Sequence, residues 1–196
     1  MGKGNIIFLN GVASAGKTTL AKTIQSRLTE PYYWLNVDVF ITFLAENHME
    51  HNPKIYFQEG KDPISLYPHI VKLFSDLGVN VIADAALTKG HGRNLYLSLE
   101  TLEKCIDMLY DYPLLYVHVT CPLEEMQRRE KERGHEKIWQ REDINEEINP
   151  YDIYDITVDT FHNTKEECAD IIIDLLGKSE KYTAFKTLWS KRCNSN

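Results

Sequence analysis

Gly11-Val12-Ala13-Ser14-Ala15-Gly16-Lys17-Thr18 decides how this chain folds. Ahead of it, Ile6-Ile7-Phe8-Leu9 is an unbroken apolar run of the kind that forms a strand buried on both faces. Behind it, Leu20, Ile24 and Leu28 recur at helical spacing, so the two glycines and the Lys-Thr pair stand on a strand-to-helix turn. Such a turn solves an electrostatic problem. A row of phosphates brings several negative charges, and successive backbone N–H groups at a helix N-terminus receive them without bulky side chains. Lys17 is placed to reach the β and γ phosphate oxygens of a nucleoside triphosphate, and the Thr18 hydroxyl to hold Mg2+. Gly11, Val12, Ala13, Ser14, Ala15, Gly16 and Thr19 complete the expected nucleotide cradle. A glycine turn that merely opened a helix would not need the whole eight-residue pattern in this setting.

A length of 196 residues suits one domain with a full core, since single cores stop growing only near about 250–300 residues. The expectation is therefore one unit spanning 1–196. A hydrophobic fraction of 43% and a charged fraction of 26% are ordinary for a globular protein. The net charge of −7 repels nucleic acid and anionic membrane, whereas a phosphate loop needs no global positive field. Cys105, Cys121, Cys168 and Cys193 are scattered, with no Cys-x-x-Cys pair and no metal spacing, which points to reduced thiols in a cytoplasmic protein. Cys121 reads as a small buried hydrophobe before it reads as a nucleophile. Met1 to Asn5 leads straight into the first strand with no signal-peptide pattern, and no apolar run approaches the roughly 18 residues of a membrane span.

Further along, apolar runs alternate with helical patterns. Tyr33 to Val37 reads as a second strand, with a helix beginning over Val39 to Ala45. Ile64 to Leu77 is amphipathic and stopped by Gly78. Val79 to Ala83 is a third strand, Asn94 to Leu109 a helix, and Leu114 to Thr120 a fourth strand followed by a charged helix from Leu123. Asp155 to Val158 is a last strand, Asn163 with Glu166 a capping box, and Tyr182 to Arg192 a final helix. Continuously apolar strands alternating with helices define an α/β fold. Its expected form is the three-layer fold of P-loop nucleoside-triphosphate hydrolases, a central parallel β-sheet with helices on both faces. In such sheets ligands bind beyond the carboxyl ends of the strands, so the P-loop, Asp38, Asp84 and Thr120-Cys121 should lie side by side.

That placement selects the candidates. Asp38 is a carboxylate able to orient or deprotonate a hydroxyl facing a γ-phosphate, although Asp at this position also suits a helix cap. Asp84 could hold Mg2+ or touch substrate, or simply cap a loop. Arg129 and Arg133 share one helical face and could close as a lid, around 128–141, over the transferring group. The competing view is a solvated helix whose arginines, Arg128 included, pair with Glu125, Glu130 and Glu132. Arg93, with Lys89 and His91, lies in a glycine-bearing loop that could contact substrate. His118 reads as a core histidine. Residues 39–75 form the excursion where a substrate would be recognised, and Tyr32-Tyr33-Trp34, Tyr56, Phe57 and Tyr67 could line an aromatic pocket or simply pack.

Taken together, these segments resemble the chloramphenicol phosphotransferase family of P-loop kinases, and more distantly the shikimate, gluconate and adenylyl-sulfate kinases. The likeness runs through Ile7-Phe8-Leu9-Asn10-Gly11, Ser14-Ala15-Gly16-Lys17, Val37-Asp38 and Val81-Ile82-Ala83-Asp84. It continues through Cys121, Arg129-Glu130, Arg133-Gly134, Tyr154-Asp155, Val158-Asp159-Thr160, His162 and Glu167-Cys168-Ala169. His135, Glu136 and Asn149 depart from the family pattern. The resemblance implies a kinase using ATP and Mg2+ to phosphorylate a small-molecule hydroxyl, chloramphenicol or a related antibiotic foremost. Asp38 would be the base, Lys17 and Thr18 the ATP–Mg2+ ligands, and Arg129 with Arg133 the lid. A kinase of another metabolite or nucleoside is the nearest alternative. A nucleotide-dependent switch is the alternative of a different class, though no Asn-Lys-x-Asp segment for reading guanine is present.

Overall fold

A computed structural model describes residues 2–41, 63–87, 99–132 and 151–195. Arg93, Arg133, Lys89, His91, Tyr56, Phe57, and the parts of the proposed lid and excursion at 133–141 and 42–62 lie outside the described residues.

Five strands form one sheet: β1 (Ile6–Asn10), β2 (Tyr32–Asn36), β3 (Asn80–Ala85), β4 (Leu114–Thr120) and β5 (Ile156–Asp159). All neighbouring pairs are parallel, in the order β2-β3-β1-β4-β5. The central β1 is buried along its whole length, which is why its Ile6–Leu9 run is continuously apolar rather than alternating. Helices α1 (Lys17–Arg27), α2 (Val37–Ile41), α3 (Pro63–Asp76), α4 (Leu99–Leu109), α5 (Leu123–Glu132), α6 (Lys165–Ile173) and α7 (Ala184–Ser195) complete the described elements, with a short 3-10 turn at Ser179–Lys181. Two apolar cores flank the sheet. Ile7, Leu9, Ile82, Leu115, Val117 and Val119 pack against Leu20, Ala21 and Ile24 of α1 and Cys168, Ala169 and Ile172 of α6. Phe8, Val81, Ala83 and Tyr116 pack on the opposite face against Tyr67 and Val71 of α3, Cys105 and Ile106 of α4, and Phe185 and Leu188 of α7. The three layers expected from the alternation of strands and helices are present.

Element ends shift by one or two residues, each for a local reason. β2 stops at Asn36 rather than Val37 because the Asn36 Oδ1 accepts the Asp38 N–H at 2.7 Å and opens α2 at once. Asn36 thus takes the capping role that Asp38 could have filled. β3 runs on through Asp84 to Ala85, because Asp84 lies in register between Leu9 and Asn36. β5 begins only at Ile156, since the Asp155 carboxylate is occupied. Its Oδ1 accepts the N–H groups of Thr183 and Ala184 at the start of α7, and its Oδ2 accepts that of Tyr116. The capping box of α6 is Thr164 with Glu167, one residue beyond the expected Asn163 and Glu166. Asn163 instead spends its side-chain amide on the Asp159 carbonyl.

Candidate functional site

The phosphate loop leaves the end of β1 through two positions that only glycine fills. A Cβ on Gly11 would sit 2.4 Å from the Val119 carbonyl oxygen of β4. Gly16 has φ 97°, a left-handed conformation that side chains disfavour. The loop is tight enough that Ser14 also has a positive φ of 60°. Lys17, the first residue of α1, folds back across its own loop and donates to the Val12 carbonyl at 2.9 Å. Its side chain is almost fully buried, so its charge stands in a medium that screens it poorly.

Thr18, one step along α1, donates to the Asp84 Oδ2 at 3.0 Å. The same oxygen receives the Asn36 Nδ2 at 3.2 Å and the Trp34 Nε1 at 3.3 Å. Asp84 is 3% exposed. Burial pushes its carboxyl above the ordinary value of 3.8, while the Lys17 charge and the Thr18 and Trp34 hydrogen bonds pull it back and Asp38 adds to the rise. Asp38 is exposed in the first turn of α2. Asn36 therefore spans the two acids. Its Nδ2 touches Asp84 and lies 3.5 Å from the Thr18 Oγ1, while its Oδ1 holds the Asp38 backbone. A hydroxyl and a carboxylate 3.0 Å apart beside the phosphate cradle are hard oxygen donors. Mg2+ takes such ligands, one or two from the protein and the rest from phosphates and water. The residues present fit that ion.

Beyond β4, the arginines of α5 divide. Arg128 pairs with Glu125 and Glu132 on the surface, as a solvated helix would. Arg129 points inward, donating from Nε to Glu125 at 2.8 Å, from Nη2 to the Thr160 carbonyl at 3.0 Å, and from Nη1 to the Ser14 carbonyl at 3.3 Å and the Thr160 Oγ1 at 3.2 Å. Arg129 is thus fastened to the phosphate loop here, and Arg133, the other residue of the expected lid, lies outside the described residues. Thr160, just past β5, donates its hydroxyl to the Ala15 carbonyl at 2.7 Å. Cys121 is half-buried, its thiol pushed up by burial. The His118 ring stacks on Tyr154 at 4.3 Å, its Nε2 buried and without a hydrogen-bond partner among the described residues; burial lowers its pKa. Tyr67 is core, its hydroxyl donating to the Leu35 carbonyl, and Trp34 of the Tyr32-Tyr33-Trp34 trio reaches Asp84.

The strand ends thus bring together Lys17, Thr18, Asp84 and, through Asn36, Asp38. Asn36 and Thr160 are not readable as site residues from spacing, because neither belongs to the phosphate-loop motif. Asn36 is legible only as a polar residue closing an apolar strand, and Thr160 only through the Val158-Asp159-Thr160 likeness.

A phosphate loop on the central strand of a parallel sheet ordered β2-β3-β1-β4-β5, helices on both faces, is the fold of the P-loop kinases. Among solved structures, the Mycobacterium tuberculosis APS kinase in complex with AMPPNP and APS superposes with TM-score 0.62 at 17% identity, covering 90% of this chain and 99% of that one. The Acinetobacter baumannii shikimate kinase bound to shikimate gives TM-score 0.53 at 17% identity over 88% and 93%. In sequence, the adenylyl-sulfate kinase of Clostridium acetobutylicum is 23% identical over 184 residues, 89% of this chain and 84% of that one. Residues 4–177 match the family described as chloramphenicol phosphotransferase-like protein, and the chain belongs to that family. Among the described residues, no helix is long and apolar enough to cross a membrane.

Proposed function

We propose that this chain is an ATP- and Mg2+-dependent kinase that transfers the γ-phosphoryl group of ATP to a hydroxyl of a small molecule. The supporting observation is the run of contacts from Thr18 through Asp84 and Asn36 to Asp38, which ties the start of the helix after the phosphate loop to an exposed acid in the first turn of α2. The Thr18 hydroxyl and the Asp84 carboxylate would hold Mg2+, whose charge would supply neutralisation of the phosphate oxygens. Lys17 holds the β and γ oxygens. Asp38 orients the acceptor hydroxyl and takes its proton as the acceptor oxygen bonds to the γ-phosphorus and ADP departs with the bridging oxygen. Arg133, for charge on the transferring group, and Arg93, for substrate, enter this proposal from the sequence alone.

Chloramphenicol heads the acceptors to be tried, because the family takes its name from it; adenylyl sulfate follows, because the Clostridium relative is a kinase of that compound. The test is a thermal-shift screen of hydroxyl-bearing antibiotics and metabolites with Mg·AMPPNP present, followed by phosphoryl transfer from labelled ATP to each compound that shifts. Asp38→Asn should lower kcat by about 10²–10⁴, the usual worth of a positioned base, with AMPPNP affinity within about twofold. An equally active Asp38→Asn variant would remove Asp38 from the chemistry. Failure of the wild-type chain to bind Mg·AMPPNP would end the kinase assignment altogether.

A further inference from the structure

We propose that Arg129 and Thr160 form a strut that sets the shape of the phosphate loop from behind, so that they act on nucleotide binding as positioning residues. This rests on the loop being a triphosphate site.

The strut is a connected set of contacts joining α5, the residue after β5, the end of β4 and the phosphate loop. Its anchor is Glu125, which holds the Arg129 Nε at 2.8 Å from one turn earlier on α5. From that anchor the guanidinium spans to the Ser14 carbonyl and to both oxygens of Thr160. Thr160 is fixed in turn by its backbone N–H, which donates at 3.0 Å to the Thr120 carbonyl at the end of β4. Its hydroxyl then takes the Ala15 carbonyl at 2.7 Å. Two successive carbonyls of the loop, Ser14 and Ala15, are thereby tied toward β5 and α5.

The consequence follows from peptide geometry. In a trans peptide the carbonyl and the following N–H point in opposite directions. Tying the Ala15 carbonyl to Thr160 therefore turns the Gly16 N–H away from Thr160, leaving it to phosphate. The glycine is also seated by the same contact. A Cβ there would lie 3.2 Å from the Thr160 Oγ1 and 3.3 Å from its Cγ2, tighter than packed atoms normally tolerate. Ser14 and Gly16 both hold positive φ, so the loop is in a conformation that requires outside support. Arg129 supplies that support with a planar set of donors that lysine could not reproduce.

Binding of two probes by calorimetry, Mg·AMPPNP and inorganic tripolyphosphate with Mg2+, tests the strut. Arg129→Gln and Thr160→Val should each weaken both probes by about tenfold, equivalent to about 1.4 kcal/mol. The double variant should lose little more than either single one, because the two residues are bonded to each other and hold adjacent carbonyls of one loop as a unit. Thr160→Ser, which keeps the hydroxyl, should restore affinity. Arg128→Gln, which disturbs the ion pairs of α5 without reaching the loop, should leave both probes unchanged and reports what mere weakening of the helix does. A loss confined to AMPPNP would place Arg129 on the nucleoside and overturn the strut. A loss of kcat with unchanged probe affinity would return Arg129 to a lid and overturn it equally. If the wild-type chain binds neither probe, the kinase proposal fails instead.

Discussion

Asp84 shows at the level of one residue what a buried carboxylate costs the molecule that carries it. Three donors converge on its Oδ2, yet burial still holds its carboxyl above the ordinary carboxylate range. An acid raised in the folded state contributes stability below its unfolded pKa and loses it as pH rises through the folded value. At neutral pH the ionised Asp84 therefore weighs against the ligand-free fold, and a cation beside it would relieve that burden. Asp84→Asn keeps an acceptor for Thr18 while removing the charge. The ligand-free variant should melt higher than wild type at pH 7, with the difference shrinking as pH falls toward 4, while Mg2+-dependent AMPPNP binding drops at least tenfold. Scanning calorimetry across pH, with and without Mg·AMPPNP, reads both effects. A variant that melts lower at pH 7 would mean that the charge is already compensated by Lys17.

Elements were legible in the chain wherever hydrophobic period alone decides them, and their ends were not. Ile6–Leu9 and Leu114–Thr120 are buried on both faces, so their apolar runs declare two strands. The boundaries of β2, β3 and α6 depend instead on which polar side chain claims which backbone group. Asn36 claims the Asp38 N–H, and Asn163 claims the Asp159 carbonyl, so Thr164 becomes the cap of α6. No local pattern separates Asn163-x-x-Glu166 from Thr164-x-x-Glu167, because the competitor for Asn163 lies in the preceding strand end. The candidate site divides in the same way. Lys17, Thr18 and Asp84 were readable from the loop and the strand-end rule, whereas Asn36 and Thr160 acquire their roles from partners far off in sequence. The reciprocal box at α6 gives a clean test, because the Thr164 hydroxyl accepts the Glu167 N–H and the Glu167 carboxylate accepts the Thr164 N–H. Thr164→Ala should destabilise by about 1 kcal/mol, whereas Asn163→Ala, which removes a bond outside the helix, should cost less. Urea titration of both variants ranks them, and the opposite order would restore Asn163 as the cap.

At the scale of the whole molecule, the sheet separates the work of holding together from the work of binding. Phe8 of β1 points into the aromatic core, its ring 6.5 Å from Tyr67, 5.7 Å from Tyr116 and 5.8 Å from Phe185. Its neighbours Ile7 and Leu9 point into the opposite core, beneath the helix that carries Lys17 and Thr18. One strand thus feeds both faces, and its end supplies the phosphate loop. Phe8→Ala should cost roughly 3–5 kcal/mol as a buried aromatic truncation, lowering Tm by about 6–20 °C in a chain of this size. Lys17→Ala should behave inversely. Its side chain is tied to the Val12 carbonyl of its own loop, so the ligand-free Tm should move little. Wild-type protein with Mg·AMPPNP at 100 times its dissociation constant should gain about 2.7 kcal/mol, or about 5–11 °C. Lys17→Ala should lose most of that gain, whereas Phe8→Ala should keep it, shifted to a lower starting temperature. If Phe8→Ala abolished the nucleotide gain while folding remained cooperative, the two faces would be coupled through β1, and the division of labour across the sheet would have to be given up.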